Sequence, residues 1–222
     1  MGDRQAKDAL FDGFAEVAKA LSSGRRAELV DVLEQGERHV DQLAEELGQS
    51  VANTSFHLRA MAVAGLVATR RDGNRIYYRL ASARVAELWS ALRDVAAAHH
   101  AHLDSLTAAY LGDRSGLEQI SRSELARRLE DGDVIVIDVR PTAEYEAGHI
   151  ASAQSLPIES LQQQLAELPD DIEVVAYCRG PFCVYADDAV RRLVAEGRRA
   201  RRLEDGFPQW QQTGLPVAAG TA

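Results

Sequence analysis

Residues 174–186, VVAYCRGPFCVYA, limit the fold of this chain more than any other stretch. The apolar residues Val174 to Tyr177 read as a buried strand, and the residues after the cysteines as the start of a helix. Between them a short loop holds both cysteines of the protein, Cys178 and Cys183. A strand that ends in Cys178, turns through Gly180 and Pro181 and opens a helix sets a thiol among backbone N–H groups. Those groups and the positive end of the helix dipole favour an anion. A thiol so placed is expected to ionise more readily than a free one, and the thiolate is the reactive form. Cys178 is therefore the candidate nucleophile, the alternative being a buried cysteine packed as a small hydrophobe. The loop around it comprises Arg179, Gly180, Pro181, Phe182, Cys183 and Val184.

The rest of the second half alternates strand and helix. Ser121 and Glu124 form a capping box before a helix over 125–130. Val134 to Asp138, VIVID, is a continuous apolar run of the kind buried on both faces of a parallel sheet. A short strand over 153–156 and a helix over 158–167 precede the cysteine strand. A helix to about residue 196, a strand over 201–203 and a helical turn after Phe207 follow it. This order predicts an α/β domain with a central parallel sheet, and ligands of such folds sit at the carboxyl ends of the strands, where Cys178 falls. The domain is placed at 117–222, after a polar linker at 112–116, GDRSG.

Residues 1–111 read as a separate, α-rich domain. Helices are expected over 8–21, over 25–34 with Ser23 as cap, over 40–47, and over 51–64 with Ser50 as cap. Two short helices around a Gly-containing turn form a helix-turn-helix pattern. The second of them places Asn53, Thr54, Ser55, His57 and Arg59 toward its front, with Val51, Phe56, Leu58 and Met61 as apolar contacts. Small polar groups there suit base edges and phosphates, and equally suit a solvated helix face. The following stretch decides between the two. Residues 66–71 and 75–80 flank Asp72-Gly73-Asn74 as a β-hairpin whose tip carries Arg70, Arg71 and Arg75. A basic hairpin after a helix-turn-helix is a wing, and arginine suits backbone or minor-groove contact. Residues 83–111 are expected as one long helix whose apolar seam, including Leu88, Trp89, Leu92 and Val95, suits dimerisation.

The net charge of −9 disfavours nucleic acid, but its distribution reverses the argument. Residues 50–80 hold five arginines and a single acid, Asp72, a local basic stripe. No apolar run reaches the roughly 18 residues of a membrane helix. The N-terminus lacks the apolar region of a secretory signal, and two cysteines five apart are no disulfide framework, so a reducing, cytoplasmic setting is expected.

Residues 20–80, with ALSSGRRAELVDVLEQGE and the Ser55-Phe56-His57-Leu58-Arg59 run before the Arg71-Asp72-Gly73-Asn74 wing, resemble the ArsR family of winged-helix regulators. The resemblance implies a homodimer that binds double-stranded operator DNA and releases it when an inducer is sensed. Many members sense metals. Here the third helix, in HVDQLAEEL, lacks cysteines, and Glu87-Leu88-Trp89 stands where the family's metal site starts Asp-x-His. His99, His100 and His102 are therefore taken as a solvated cluster, and no metal or other cofactor is expected.

Residues 117–218 resemble a rhodanese domain. The carriers are Ile137-Asp138-Val139-Arg140, Gly148-His149-Ile150, Leu156-Pro157, Tyr177-Cys178-Arg179, Asp205-Gly206-Phe207, Trp210 and Gly214-Leu215-Pro216. The resemblance implies that Cys178 accepts a sulfane sulfur as a persulfide. The loop departs from the common Cys-Arg-x-Gly-x-Arg-Ser pattern: it lacks the second arginine and is longer, and longer loops in this superfamily fit phosphate- or arsenate-sized oxyanions. Cys183 either attacks a persulfide on Cys178 or packs under the loop. Asp138 and Arg140 read as a structural ion pair and His149 as a scaffold residue. Arg179 either holds an anionic substrate or faces water. The expectation is a dimeric DNA-binding regulator that couples sulfur acceptance at Cys178 to operator release. The alternatives are a thiosulfate-type sulfurtransferase or an arsenate-handling enzyme tethered to a DNA-binding domain, or a rhodanese half that serves as an inert interaction module.

Overall fold

The computed structural model describes residues 2–165 and 168–220, and the chain forms two compact units, Met1–His100 and Ala101–Ala222. The first is a winged helix-turn-helix. Its elements are α1 (Arg4–Leu21), α2 (Gly24–Glu34), β1 (Arg38–His39), α3 (Val40–Glu46), α4 (Val51–Val63), β2 (Val67–Asp72), β3 (Arg75–Leu80) and α5 (Ala83–His99). The three strands form an antiparallel sheet in the order β1-β3-β2. Gly73, at φ +57°, makes the wing turn in the left-handed region that glycine enters freely. Leu29, Val30, Leu33, Leu43, Leu58 and Met61 build the core. Ser50 caps α4, its hydroxyl accepting from the Asn53 amide at 3.2 Å. Ser23 sits at the cap position of α2 without a side-chain hydrogen bond to it.

The second unit is α/β. It contains α6 (Leu103–Leu111), β4 (Gln119–Ile120), α7 (Arg122–Asp131), β5 (Val134–Asp138), α8 (Thr142–Ala147), β6 (His149–Ile150) and β7 (Gln154–Ser155). Then come α9 (Leu161–Gln164), β8 (Glu173–Tyr177), α10 (Tyr185–Ala195), β9 (Ala200–Leu203), α11 (Phe207–Gln212) and β10 (Val217–Ala218). Five strands form a parallel sheet in the order β4-β9-β8-β5-β7, while β6 and β10 pair antiparallel beside it. The unbroken apolar run of β5 has a simple cause. Val134 and Val136 enter one core with Val175, Tyr177, Leu203 and Trp210. Ile137 enters the other with Val174, Ala176, Ala189 and Leu193. Side chains alternate across a strand, so a sheet covered on both faces needs apolar residues at every position.

The expected helix over 83–111 is two helices. His100 takes an extended conformation after α5, and α6 begins at Leu103. Three histidines within four residues, 99–102, are poorer helix formers than the alanines before them. The break also interrupts the helical register that would set His99 and His102 on one face. Trp89 packs against the first core, its indole donating to Asp31 Oδ1 at 3.0 Å. The helix expected over 158–167 is described only as α9, Leu161–Gln164; residues 166 and 167 lie outside the described residues. Among the described residues no helix is long and apolar enough to cross a membrane, and no group of three or more His, Cys, Asp or Glu side chains is placed to hold a metal ion.

Candidate functional site

Tyr177 ends the central strand β8 and Tyr185 begins α10, so residues 178–184 form the loop at the carboxyl edge of the parallel sheet. The loop is folded on itself by a hydrogen bond from the Cys183 amide to the Gly180 carbonyl at 3.1 Å. It is held from below by the Phe207 amide, which donates to the Cys178 carbonyl at 3.1 Å. Gly206 meets the loop so closely that a Cβ there would lie 2.3 Å from the Gly180 amide nitrogen.

Cys178 is fully buried and Cys183 half-buried, and both are free thiols. Cys178 Sγ lies 3.8 Å from the Gly180 carbonyl oxygen and 3.7 Å from that of Cys183. Burial pushes the Cys178 thiol well up. The neighbouring Cys178 thiol pulls Cys183 down, helped by the amides of Tyr185 and Arg179 and by the Arg179 charge. The expectation that Cys178 ionises readily is thus not met in the closed loop. The local argument from strand, turn and helix dipole is correct in kind, but desolvation in the core around Cys178 opposes it, and the downward shift falls on Cys183.

Three charged side chains cluster at the loop. Asp187, in the first turn of α10, is fully buried. Arg202 of β9, 2% exposed, approaches it at 3.1 Å. Arg114 pairs with Asp187 through Nε and donates from Nη1 to the Pro181 carbonyl at 2.9 Å and from Nη2 to the Cys183 carbonyl at 3.3 Å. The Arg202–Asp187 contact is an ion pair rather than a directed hydrogen bond, and Arg202 Nη2 has no hydrogen-bond partner among the described residues. Burial lowers the Arg202 pKa, opposed by Asp187 and by both cysteines. Two arginines face one carboxylate, so the cluster carries a surplus positive charge. Buried charge is costly unless compensated, so this surplus favours a thiolate in the loop. The sequence offered no signal for this cluster, whose members come from three separate segments. Residues 112–116, read as a polar linker, are in fact fixed to the second unit by Arg114 and by the Asp113 carbonyl, which accepts from Arg191 at 2.9 Å.

The remaining rhodanese-type residues form a scaffold. Asp138 and Arg140, both fully buried, pair at 2.6 Å, and the Tyr177 hydroxyl donates to Asp138 at 2.6 Å. His149 is stacked on Tyr145 with ring centroids 3.6 Å apart, its Nδ1 2.8 Å from the Tyr145 carbonyl oxygen. Arg179 already has a protein partner. It is bound bidentately by the fully buried Glu144, at 2.7 and 3.1 Å, over the ring of Tyr185.

In the first unit α4 presents Asn53 and Arg59 as exposed side chains, with Ser55 and His57 half-buried. Thr54 does not belong to that face. It is fully buried, because positions 54, 58 and 61 form one helical stripe with Leu58 and Met61. Conversely, Val51 and Phe56, expected as apolar contacts, are 44% and 59% exposed. On the wing Arg71 and Arg75 are exposed, while Arg70 is held by Glu37 at 2.8 Å and Asp72 at 3.2 Å and lies over the Tyr77 ring. Those two carboxylates raise its pKa further above the ordinary arginine value.

Residues 121–213 match the model of the rhodanese-like domain, and residues 23–69 that of the bacterial regulatory protein, arsR family. The HTH-type transcriptional regulator Rv0324 of Mycobacterium tuberculosis is 46% identical over 219 residues, covering 99% of this chain and 96% of that protein. A sulfurtransferase of Allochromatium vinosum is 34% identical over 105 residues, 46% of this chain and 96% of that protein. A solution structure of the homodimeric winged helix-turn-helix domain of a possible ArsR-family regulator from Mycobacterium bovis is 43% identical. It covers 46% of this chain and 93% of that one, with a TM-score of 0.42. The chain therefore belongs to the arsR family of DNA-binding bacterial regulatory proteins and carries a rhodanese-like domain after its helix-turn-helix.

Proposed function

We propose that this regulator binds operator DNA as a homodimer, accepts sulfane sulfur at Cys178, and releases DNA when the cysteine loop changes state. The observation that carries the coupling is Arg114. It stands three residues after α6, in the stretch joining the two matched regions, and its guanidinium holds the Pro181 and Cys183 carbonyls. Cys178 is fully buried with the Gly180 and Cys183 carbonyls at 3.8 and 3.7 Å from its sulfur, so a sulfur added there is expected to press on those carbonyls and on the chain segment tied to them. Coupling needs an element whose position differs between the two states, and this segment supplies one. The likeness of the second half to a sulfurtransferase supports sulfur as the group accepted. Dimerisation is supported by two uncovered apolar rows, Leu10, Phe11 and Phe14 on α1 and Leu88, Leu92 and Val95 on α5, each between 42% and 62% exposed.

The test is a gel shift on DNA from the gene's own upstream region, with reduced protein and with protein loaded by inorganic polysulfide. Loading is expected to weaken binding about tenfold, within the usual range of allosteric coupling. Cys178→Ser is expected to bind DNA but ignore the polysulfide. Arg114→Ala is expected to take up sulfur yet keep its DNA affinity. An affinity unchanged by loading in the wild type would refute the coupling.

The DNA face gives a second expectation. Arg59 is free to meet phosphate, whereas Arg70 is already neutralised by two carboxylates. Arg59→Ala is expected to reduce the slope of log affinity against log salt by about 1, the loss of one phosphate contact. Arg70→Ala is expected to change it far less. Equal effects from the two, in a salt titration of binding, would count against this placement of the contacts.

A further inference from the structure

We propose that Cys183 is a second catalytic residue of the loop: it displaces the sulfur carried by Cys178 as hydrosulfide and closes a Cys178–Cys183 disulfide. This rests on Cys178 being the sulfur acceptor.

Both cysteines lie in one closed loop, and Cys183 packs against the same core cluster that holds Cys178. Cys178 Sγ is also 3.7 Å from the Cys183 carbonyl, which keeps the two residues adjacent through backbone as well as side chain. The Arg114–Asp187–Arg202 cluster sets two cations against one carboxylate, which favours a thiolate in the loop it supports. Only four residues separate the cysteines, and the Gly180–Cys183 turn brings the ends of that segment together.

The chemistry balances in two steps. In the first, Cys178 Sγ attacks the sulfane sulfur of a donor such as thiosulfate, and its proton passes to Cys183, which enters the step as the thiolate. The donor's sulfur–sulfur bond breaks, and sulfite leaves with the electron pair. Cys178 now carries a persulfide anion and Cys183 is a thiol. In the second, Cys183 attacks Sγ of Cys178. The bond from Sγ to the outer sulfur breaks, and the outer sulfur leaves with its electron pair and the Cys183 proton as hydrosulfide. The sulfane sulfur is reduced and the two cysteine sulfurs are oxidised. A dithiol reductant of the thioredoxin class returns the pair to thiols by exchange. Attack on the outer sulfur would merely move the persulfide to Cys183 and release nothing. Cys183 borders Sγ of Cys178 through its carbonyl at 3.7 Å, and this placement favours attack on the inner one.

The test uses the full chain, reduced and then freed of reductant, with stoichiometric thiosulfate or glutathione persulfide. Sulfide release, intact mass and peptide mapping are measured. Wild type is expected to release about one sulfide per chain and to yield a linked Cys178–Cys183 peptide, with no sulfur retained. Cys183→Ser and Cys183→Ala are expected to hold one added sulfur and to release about tenfold less sulfide. Sulfur retained by these variants also reports an intact loop. A wild type that keeps its persulfide as stably as the variants, with no linked peptide, overturns the proposal and leaves sulfur acceptance standing. A wild type that takes sulfur from neither donor overturns the acceptor role of Cys178, and this inference with it. Persulfide held by Cys178→Ser but not by Cys183→Ser reverses the roles and overturns both assignments.

Discussion

Gly206→Ala is expected to melt the rhodanese-like domain roughly 10 °C early, from about 2–3 kcal/mol of overpacking. It is also expected to slow sulfur loading of Cys178 by about 100-fold, the usual consequence of misplacing a reacting group by an ångström. The backbone of Gly206, at φ −128° and ψ −172°, is extended and open to any residue. The demand for glycine is one of space. An added Cβ would stand 2.3 Å from the Gly180 nitrogen, 2.4 Å from the Arg179 carbonyl carbon and 2.6 Å from its oxygen. These are backbone atoms, with no side chain able to rotate aside. The next residue, Phe207, is tied to the Cys178 carbonyl and anchors a buried ring, so the collision pushes on the nucleophile itself. Gly214→Ala is the matched control. Gly214 has φ +72° with open space around its Cβ position, so substitution strains the backbone by about 1 kcal/mol without touching the loop. Thermal melting and sulfur-loading rates on both variants decide the matter. Loading that falls equally in the two, or is unchanged in Gly206→Ala, would mean that the contact does not position the loop.

What the amino-acid sequence reveals here is what is local or periodic. The β5 run announces a strand covered on both faces, and the strand–turn–helix around Cys178 announces a site. The wing is readable because Asp72-Gly73 between two short strands has few other uses. The features that escaped are those made by distant partners or by total burial. Arg179 meets Glu144 from 35 residues away, and Arg114 meets Asp187 from 73. No spacing rule connects either pair. The ionisation of the cysteines escaped for a related reason: the helix dipole is a local quantity, but desolvation comes from the whole domain. Thr54 is different. Its stripe with Leu58 and Met61 was present in the sequence, and only its small polar side chain made it resemble a base reader.

Opposite changes in thiol reactivity are expected from Arg202→Met and Asp187→Asn, although both lower stability. The first removes a cation and leaves Arg114 neutralised by Asp187, so the thiolate of the Cys178/Cys183 pair loses its counter-charge. The thiol pKa rises, less thiolate is present at neutral pH, and alkylation of the half-buried Cys183 is expected to slow about tenfold for each pKa unit gained. The second leaves Arg114 and Arg202 without a carboxylate. The surplus positive charge grows, the thiol pKa falls, and alkylation reaches its plateau at lower pH. Asp187→Asn is expected to lose about 3–5 kcal/mol, because removing one partner strands buried charge. Arg202→Met, which replaces the unmatched cation by an apolar side chain of similar length, is expected to lose less. A purely structural cluster would move reactivity the same way in both variants, through loosening of the loop. The pH dependence of iodoacetamide modification, followed beside thermal unfolding, separates the two accounts. Shifts of opposite sign assign the cluster to the charge of the cysteine pair. Parallel shifts, or none, would reduce it to a buried ion pair that happens to lie beneath the loop.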